Sequence, residues 1–459
     1  MSKAYKYLLL FPVLVLILSC SSDSNDDPEP NPGESANAKV NKWIYEELSE
    51  IYWWSDYLPA QSSTNQKQNP KDYFYNTIWS NDPFSYIEST AKTRGDANGN
   101  IVDYGIYPMY WTNTSAWGAE AVVMQVIYVM PGSPADRAGI KRSDMFSHFN
   151  GTSITASNYK TVFDSSQMTL TQCDTKRTKI KDIDLTKTSY RDTPVICDTV
   201  YRMNDKNIGY LYYSKFFSAA DDANDTDLRA AIARMKTEEI SELILDLRFN
   251  GGGYLSICTE LATMLAPTSY TSKDIFLYQE YKNQRIYEQK FSNLNEMYRL
   301  NLDHLHVIAN GSTASASEIL TYSLRQFMPV THYGETTVGK NVGSYPITSD
   351  DASITWELHP ISSRLYDKRG KGADNWQTFT GLKPDEFFDE LNKNSEGNSR
   401  AYLAGTIGEY DIEKDYDPAL NFVMAKLGYT TQASQGTRSA NMLSATPIFP
   451  QDRQTLITD

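Results

Sequence analysis

The chain has 459 residues, with 43 Lys plus Arg against 57 Asp plus Glu, a formal net charge of −14 at pH 7. That acidity argues against a nucleic-acid partner, since phosphate recognition needs a positive surface. The four cysteines lack CxxC spacing and the five histidines form no HxxxH or HExxH pattern, so no zinc site, metal or cofactor is expected.

Lys3 and Lys6 precede an apolar run from Leu8 to Leu18 that only Pro12 interrupts. The run is too short for a permanent span, which needs about 20 apolar residues. Residues 1–19 therefore read as a secretory signal. The run ends in Ile17-Leu18-Ser19-Cys20, which resembles the lipobox of bacterial lipoproteins. The resemblance implies cleavage before Cys20 and lipidation of that residue. Residues 20–36 are acidic, lack any large apolar side chain and read as a tether. A membrane partnership through the lipid follows, at the cell envelope, as an outer-membrane lipoprotein facing the periplasm or the surface.

Within 38–60, Trp43, Ile44, Leu48, Ile51 and Tyr52 recur at three- and four-residue steps and predict a helix. Tyr73, Phe74 and Ile78 after Pro70 predict a second. Residues 37–105 are taken as a helical N-terminal region whose aromatic stripe is core. Residues 96–100 lack the glutamate of an EF-hand calcium loop and read as a turn. Strands are predicted from about 101, the clearest being Ala121 to Val129. Pro131 to Ile140 reads as a turn and a short helix stopped by Gly139, and Asp144 to Gly151 as a strand ending in an Asn-Gly turn. This order resembles a PDZ domain of the bacterial protease type, with Ser143 where glycine is usual. It implies a PDZ-like β-domain over 106–195 that adds an extended peptide to a sheet edge. Cys173 and Cys197 could bridge in an oxidising compartment, which sequence alone does not decide.

From 196 strands and helices alternate. Ile208 to Tyr213 and Leu243 to Leu247 read as strands, and Leu228, Ile232 and Met235 as one face of a helix. This is the pattern of an α/β layer around a buried sheet, taken as 196–430. Residues 431–459 are polar and patternless and are expected to form a flexible tail. The fold class is thus multidomain α/β (α+β).

Two segments carry chemistry. Asp246-Leu247-Arg248-Phe249-Asn250-Gly251-Gly252-Gly253 leaves a strand for a helix, and its glycines free backbone N–H groups to face an anion such as a tetrahedral oxyanion. In the second, Val307 to Ala309 ends a strand and a helix starts near Ser315, with Ser315 and Glu318 spaced as a capping box. Capping and nucleophilicity are compatible, because a helix N-terminus favours a developing alkoxide. No Gly-x-Ser-x-Gly elbow occurs. Lys340, among Val338, Gly339 and Val342, could act as a base only if desolvation lowers its pKa.

The three motifs Asp-Leu-Arg-x-Asn-x-Gly-Gly, Ser-Ala-Ser-Glu-Ile and Gly-Lys, behind a PDZ-like segment, resemble the C-terminal processing (tail-specific) peptidases of the Ser–Lys S41 family. Ile208-Gly209-Tyr210, Gly381-Leu382-Lys383-Pro384-Asp385 and Asp417-Pro418-Ala419-Leu420 extend the match. The resemblance implies a serine endopeptidase acting on unfolded or C-terminally exposed proteins and peptides. Ser315 would be nucleophile, Lys340 general base, and the N–H groups of Ala316 and of Gly252 or Gly253 the oxyanion hole. Where many members carry a glutamine that orients the lysine, this chain has Ser344. Either Ser344 or Glu318 is expected to take that role. The alternative is a peptide-binding lipoprotein of the same fold with catalysis weak or lost. A glycan-binding lipoprotein is a third reading, resting only on the N-terminal aromatics.

Overall fold

The computed structural model describes residues 36–90, 99–112, 117–203, 206–217, 223–370, 380–388, 417–429 and 446–448. The expected secretory signal (1–19), Cys20, all of the expected tether but Ala36, and most of the turn at 96–100 lie outside them. Among the described residues no helix is long and apolar enough to cross a membrane.

Short apolar runs set the central sheet. Its six strands lie in the order Val195–Met203, Lys206–Tyr213, Glu242–Asp246, Leu305–Ala309, Val330–Gly334 and Glu386–Phe387. The first two form an antiparallel hairpin and the remaining pairs are parallel. Continuous runs such as Leu243-Ile244-Leu245 suit a sheet covered on both faces. Leu243, Leu245, Leu305 and Val307 face the helices Ala223–Thr237, Leu255–Leu265 and Ala316–Leu324, meeting Ile232, Leu261 and Ile319 among others. Ile208, Tyr210, Ile244 and Ile308 face the other way, onto Leu420 and Val423 of the helix Pro418–Lys426.

That second face also receives Trp111, Ile127 and Tyr128 from a seven-stranded antiparallel sheet. Its path runs Thr446–Ile448, Ile106–Thr112, Val122–Val129, Met145–Phe149, Gln167–Cys173 and Lys179–Thr186, with Thr152–Ser153 paired to Met145–Phe149. Asn150 (φ 49°) and Gly151 (φ 73°) make the tight hairpin turn their sequence predicts. Ser133 Oγ accepts from Asp136 N–H at 3.2 Å to cap the short helix Pro134–Arg137, and Gly139 (φ 75°) ends it. Ser143 adopts φ 75°, a left-handed conformation that costs a non-glycine residue about 1 kcal/mol.

The structure departs from expectation in two places. The region 37–105 is not wholly helical: after the helices Ala36–Ile51 and Pro70–Thr77 come the strands Tyr86–Ser89 and Asn100–Asp103. The latter pairs with Thr188–Arg191, so the proposed boundary at 105 cuts through one sheet. Residues 446–448, in the presumed tail, pair with Ile106–Thr112, Ile448 opposite Tyr110. An open strand edge offers a row of unpaired backbone groups that invites such addition. The Cys173–Cys197 bridge that sequence left open is not formed: Cys173, Cys197 and Cys258 are free thiols.

The N-terminal aromatics are core. Trp43, Tyr52, Trp54, Tyr73 and Phe74 are buried with Val342, Leu358 and Ile361 of the C-terminal half. Tyr86–Ser89 pairs with Trp356–His359, and Trp53 N–H donates to Ile361 O at 2.7 Å. The N-terminal region is thereby fused to the four-stranded antiparallel sheet Ile286–Lys290, Ile275–Tyr281, Ile361–Tyr366 and Val342–Ser344.

A buried ion triad joins two sequence motifs 169 residues apart. Arg248 donates to Asp246 and to Asp417, each at 2.5 Å, with all three side chains essentially inaccessible to solvent. Tyr210 OH donates to Asp246 at 2.7 Å, and Asp417 caps the helix Pro418–Lys426 through Ala419 N–H at 3.1 Å. Asp417→Ala should remove two charge-assisted hydrogen bonds from Arg248 and the helix cap, while Asp246 still balances the guanidinium. The expected cost is about 2–5 kcal/mol of unfolding free energy, read as a lower denaturant midpoint. A loss below about 1 kcal/mol would contradict it.

Candidate active site

In the central sheet three neighbouring parallel strands end at Asp246, Ala309 and Gly334. The loops that follow carry the glycine run, Ser315 and Lys340. Open α/β sheets bind ligands at this carboxyl edge. The loops are stitched together by hydrogen bonds. Phe249 N–H donates to Asn310 Oδ1 at 3.1 Å, and Thr313 Oγ to Leu247 O at 2.8 Å. Asn250 O accepts from Ala314 N–H at 3.0 Å and Ser317 Oγ at 3.1 Å, and Thr313 O accepts from Val338 N–H at 3.0 Å.

Ser315 sits immediately before the helix Ala316–Leu324 at φ 54°, ψ −113°. This strained conformation costs on the order of 1–3 kcal/mol and persists only where its surroundings enforce it. The enforcing group is Glu318. Its Oε2 accepts from the N–H of Ser315 at 2.7 Å and of Lys340 at 2.8 Å. Its Oε1 accepts from Gly339 N–H at 2.7 Å and from the Thr337 hydroxyl. The carboxylate half of the capping box is thus present. The segments bearing Ser315 and Lys340 lie at most two hydrogen-bond lengths apart at their backbones. Burial pushes the Glu318 pKa up, while the four donors oppose that shift. Glu318 therefore does not orient the lysine amine, as the sequence suggested; both its oxygens are taken by other donors.

Lys340 is 1 % exposed. Its Nζ has no hydrogen-bond partner and lies 5.1 Å from the centre of the Phe84 ring. Burial lowers its pKa to about 7, against the pull of the Asp82 and Glu318 charges. Ser344 is buried on the next strand, yet it makes no hydrogen bond to that amine. Neither does Ser315 Oγ. Hydrogen bonds of this kind are commonly long without substrate and tighten once it binds.

Ala316 is the first residue of its helix, where backbone N–H groups have no intrahelical partner. Gly252 N–H donates to Asn250 Oδ1 at 2.9 Å and so is turned inward. Gly253 forms a parallel bridge with Phe216, through Phe216 N–H to Gly252 O and Tyr254 N–H to Phe216 O. The Gly253 N–H takes no part in that bridge. Of the two glycines offered by sequence, Gly253 is the one with an available donor. A side chain is excluded there, since a Cβ would lie 1.9 Å from Phe216 O.

Sequence reasoning missed several contributors. Thr337 links Glu318 to the Gly381-Leu382 motif: Leu382 N–H donates to Thr337 Oγ at 2.8 Å, and a Cβ at Gly381 would lie 1.8 Å from Thr337 O. Asp82 and Phe84 reach Lys340 from a turn more than 250 residues away in sequence, with no local motif to reveal them. His359, Glu357 and Glu88 also converge, His359 Nε2 lying 2.7 Å from Glu357. They sit on neighbouring strands, so the group is invisible to histidine spacing.

A family model described as peptidase family S41 matches residues 207–386, and one for the peptidase S41 N-terminal domain matches 39–86. The carboxy-terminal processing protease CtpA of Bacillus subtilis (strain 168) is 28% identical over 235 residues, covering 50% of this chain and 47% of that protein. A probable CtpA-like serine protease of Staphylococcus epidermidis is 25% identical over 328 residues, covering 70% and 60%. The chain therefore spans about half to three-fifths the length of these curated relatives. The crystal structure of a putative S41 protease from Bacteroides fragilis shares the fold with a TM-score of 0.68 at 24% identity, over 88% of this chain and 100% of that one. A photosystem II D1 C-terminal processing protease shares it at 0.50 and 20% identity, over 79% and 96%. With the sheet, the carboxyl-edge loops and the two matched segments in accord, residues 39–86 and 207–386 match peptidase family S41, in a fold shared with an S41 protease.

Proposed function

We propose that the protein is a serine endopeptidase with Ser315 as nucleophile and Lys340 as general base. The observation that carries this reading is the lysine itself: buried, without a hydrogen-bond partner, and with a pKa near 7. A lysine of ordinary pKa, about 10.4, would be almost wholly charged at neutral pH and unable to accept a proton. In the proposed reaction the neutral amine takes the proton from Ser315 Oγ as it attacks the scissile carbonyl. The N–H groups of Ala316 and Gly253 receive the oxyanion. The resulting ammonium returns its proton to the leaving amine, and water then hydrolyses the acyl-enzyme on Ser315 by the same route.

Ser315→Ala should abolish fluorophosphonate labelling and proteolysis while leaving the fold intact. Lys340→Arg should be as inactive as Lys340→Ala, because arginine cannot be deprotonated. In wild type, labelling should rise with pH through about 7, since protonation of Lys340 below that value removes the base. Retained activity in the arginine variant, or a rate flat over roughly pH 5–9, would refute the role of Lys340. The competing reading, a peptide-binding protein, draws on the missing Ser315–Lys340 hydrogen bond. It requires wild type to resist the label.

We further assign residues 106–195 as a PDZ-like domain that selects substrates by their C-terminal segment. Support comes from its antiparallel pairing, the short helix and the edge at Ile106–Thr112, where the extended segment Thr446–Ile448 is already added as a strand. Deleting it would remove Trp111 and Tyr128, which cover Ile208, Tyr210 and Ile244 of the central sheet, so the substrate is the better variable. Peptides with a free C-terminus should be cleaved about tenfold better than their amides, the worth of one hydrogen bond to a charged group. Equal rates would exclude terminal selection.

Lipidation of Cys20 and residence at the cell envelope complete the proposal. They rest on the placement of Cys20 between an apolar run and an acidic tether. Cys20→Ala should move the protein from the membrane to the soluble fraction. Unchanged membrane partition would rule out the anchor.

A further inference from the structure

We infer that Asp82 and Phe84 are positioning residues for Lys340, so that the N-terminal region is a working part of the active site and not only its support. The inference rests on Lys340 being the general base. Phe84 places its ring face 5.1 Å from Nζ, in the space where a hydrogen-bonding side chain would otherwise hold the amine. Asp82 supplies the charge. Its carboxylate is fixed by three donors: Tyr52 OH at 2.8 Å, Phe84 N–H at 2.8 Å and Ser85 N–H at 3.1 Å.

The turn that carries both residues is itself clamped. Ser85 Oγ accepts from Ile361 N–H at 2.8 Å, and Trp53 N–H donates to Ile361 O at 2.7 Å. Ile361 pairs with Ser344, on the strand that follows Lys340. Both backbone groups of one residue in the catalytic half are thus bonded to the N-terminal region. Sliding of that region would carry Asp82 and Phe84 away from the amine.

The two residues work in opposite directions. The ring excludes water, which disfavours the ammonium, although its face offers some cation–π attraction. The Asp82 charge favours the ammonium, as does that of Glu318, which four donors already engage. Burial, to which the ring contributes, is the larger effect, so the balance leaves the amine neutral above about pH 7.

Two substitutions separate the effects, read as the rate of fluorophosphonate labelling of Ser315 against pH, which needs no substrate. Asp82→Asn keeps the shape and the acceptor for Phe84 and Ser85 but removes the charge. The midpoint should move about one unit toward acid, so that labelling well below the midpoint rises about tenfold relative to its plateau. Phe84→Ala should admit water and move the midpoint toward the ordinary lysine range, while Phe84→Leu, still apolar, should restore a midpoint close to wild type. A merely structural role would lower the plateau in both variants without moving the midpoint, and that result would overturn the inference. So would an alkaline shift in Asp82→Asn. A wild type with no midpoint in this range would instead indict the Lys340 assignment, which keeps the two failures distinct.

Discussion

One carboxylate organises the site. Glu318 lies beneath the start of its helix and gathers the N–H groups of Ser315, Gly339 and Lys340 and the Thr337 hydroxyl. A buried anion is tolerable only when its lone pairs are filled, and here four donors fill them. The same bonds hold Ser315 in a conformation that serine avoids and bring the lysine loop across to it. Remove the carboxylate and no other described contact joins Lys340 directly to the backbone of Ser315. Other links between the loops, Val338 N–H to Thr313 O and Gly311 N–H to Glu335 Oε2, lie two or more residues from either end.

Much of this was legible in sequence because it is local. The alternation of strands and helices from 196, the Asn150-Gly151 hairpin and the Ser315–Glu318 spacing each follow from short-range rules, and each corresponds to an element at that place. Asp417 and Arg248 were both visible as motif residues, but nothing local says that they pair. That contact, like the one between Gly381 and Thr337, comes from the way parallel strands bring distant loops to one edge. Of the two roles the sequence offers Glu318, the capping role is found and the amine-orienting one is not. Its spacing to Ser315 was read correctly, while its bond to the backbone of Lys340, and not to the amine, depends on a loop path that sequence does not encode in any short pattern.

The surroundings of the lysine were the least legible part. The sequence offers Ser344 and Glu318 as polar partners for Lys340. The structure supplies a phenyl ring and a carboxylate from residues 82–84, part of a region read as a packing element. Apolar burial explains why that region looked structural: Trp43, Tyr52 and Phe74 do form a core. The face of that core that meets Val342 and Ile361 also brings the ring to the amine. Packing and chemistry there share the same atoms, and composition cannot tell them apart.

The strand Thr446–Ile448 bears on how a peptide would reach the sheet edge it covers. Backbone hydrogen bonds to Ile106–Thr112 are independent of side-chain identity, so any extended segment competes for them on nearly equal terms. A segment of the same chain competes at a local concentration set by its tether, on the order of millimolar for short flexible tethers. A free peptide must displace that resident strand first, and its apparent dissociation constant is multiplied by the resident's occupancy ratio. The edge would then be a threshold device. Dilute or weakly bound chains fail to open it, while a segment tethered nearby, such as the end of a partly unfolded protein already held at the cleft, brings a comparable local concentration of its own.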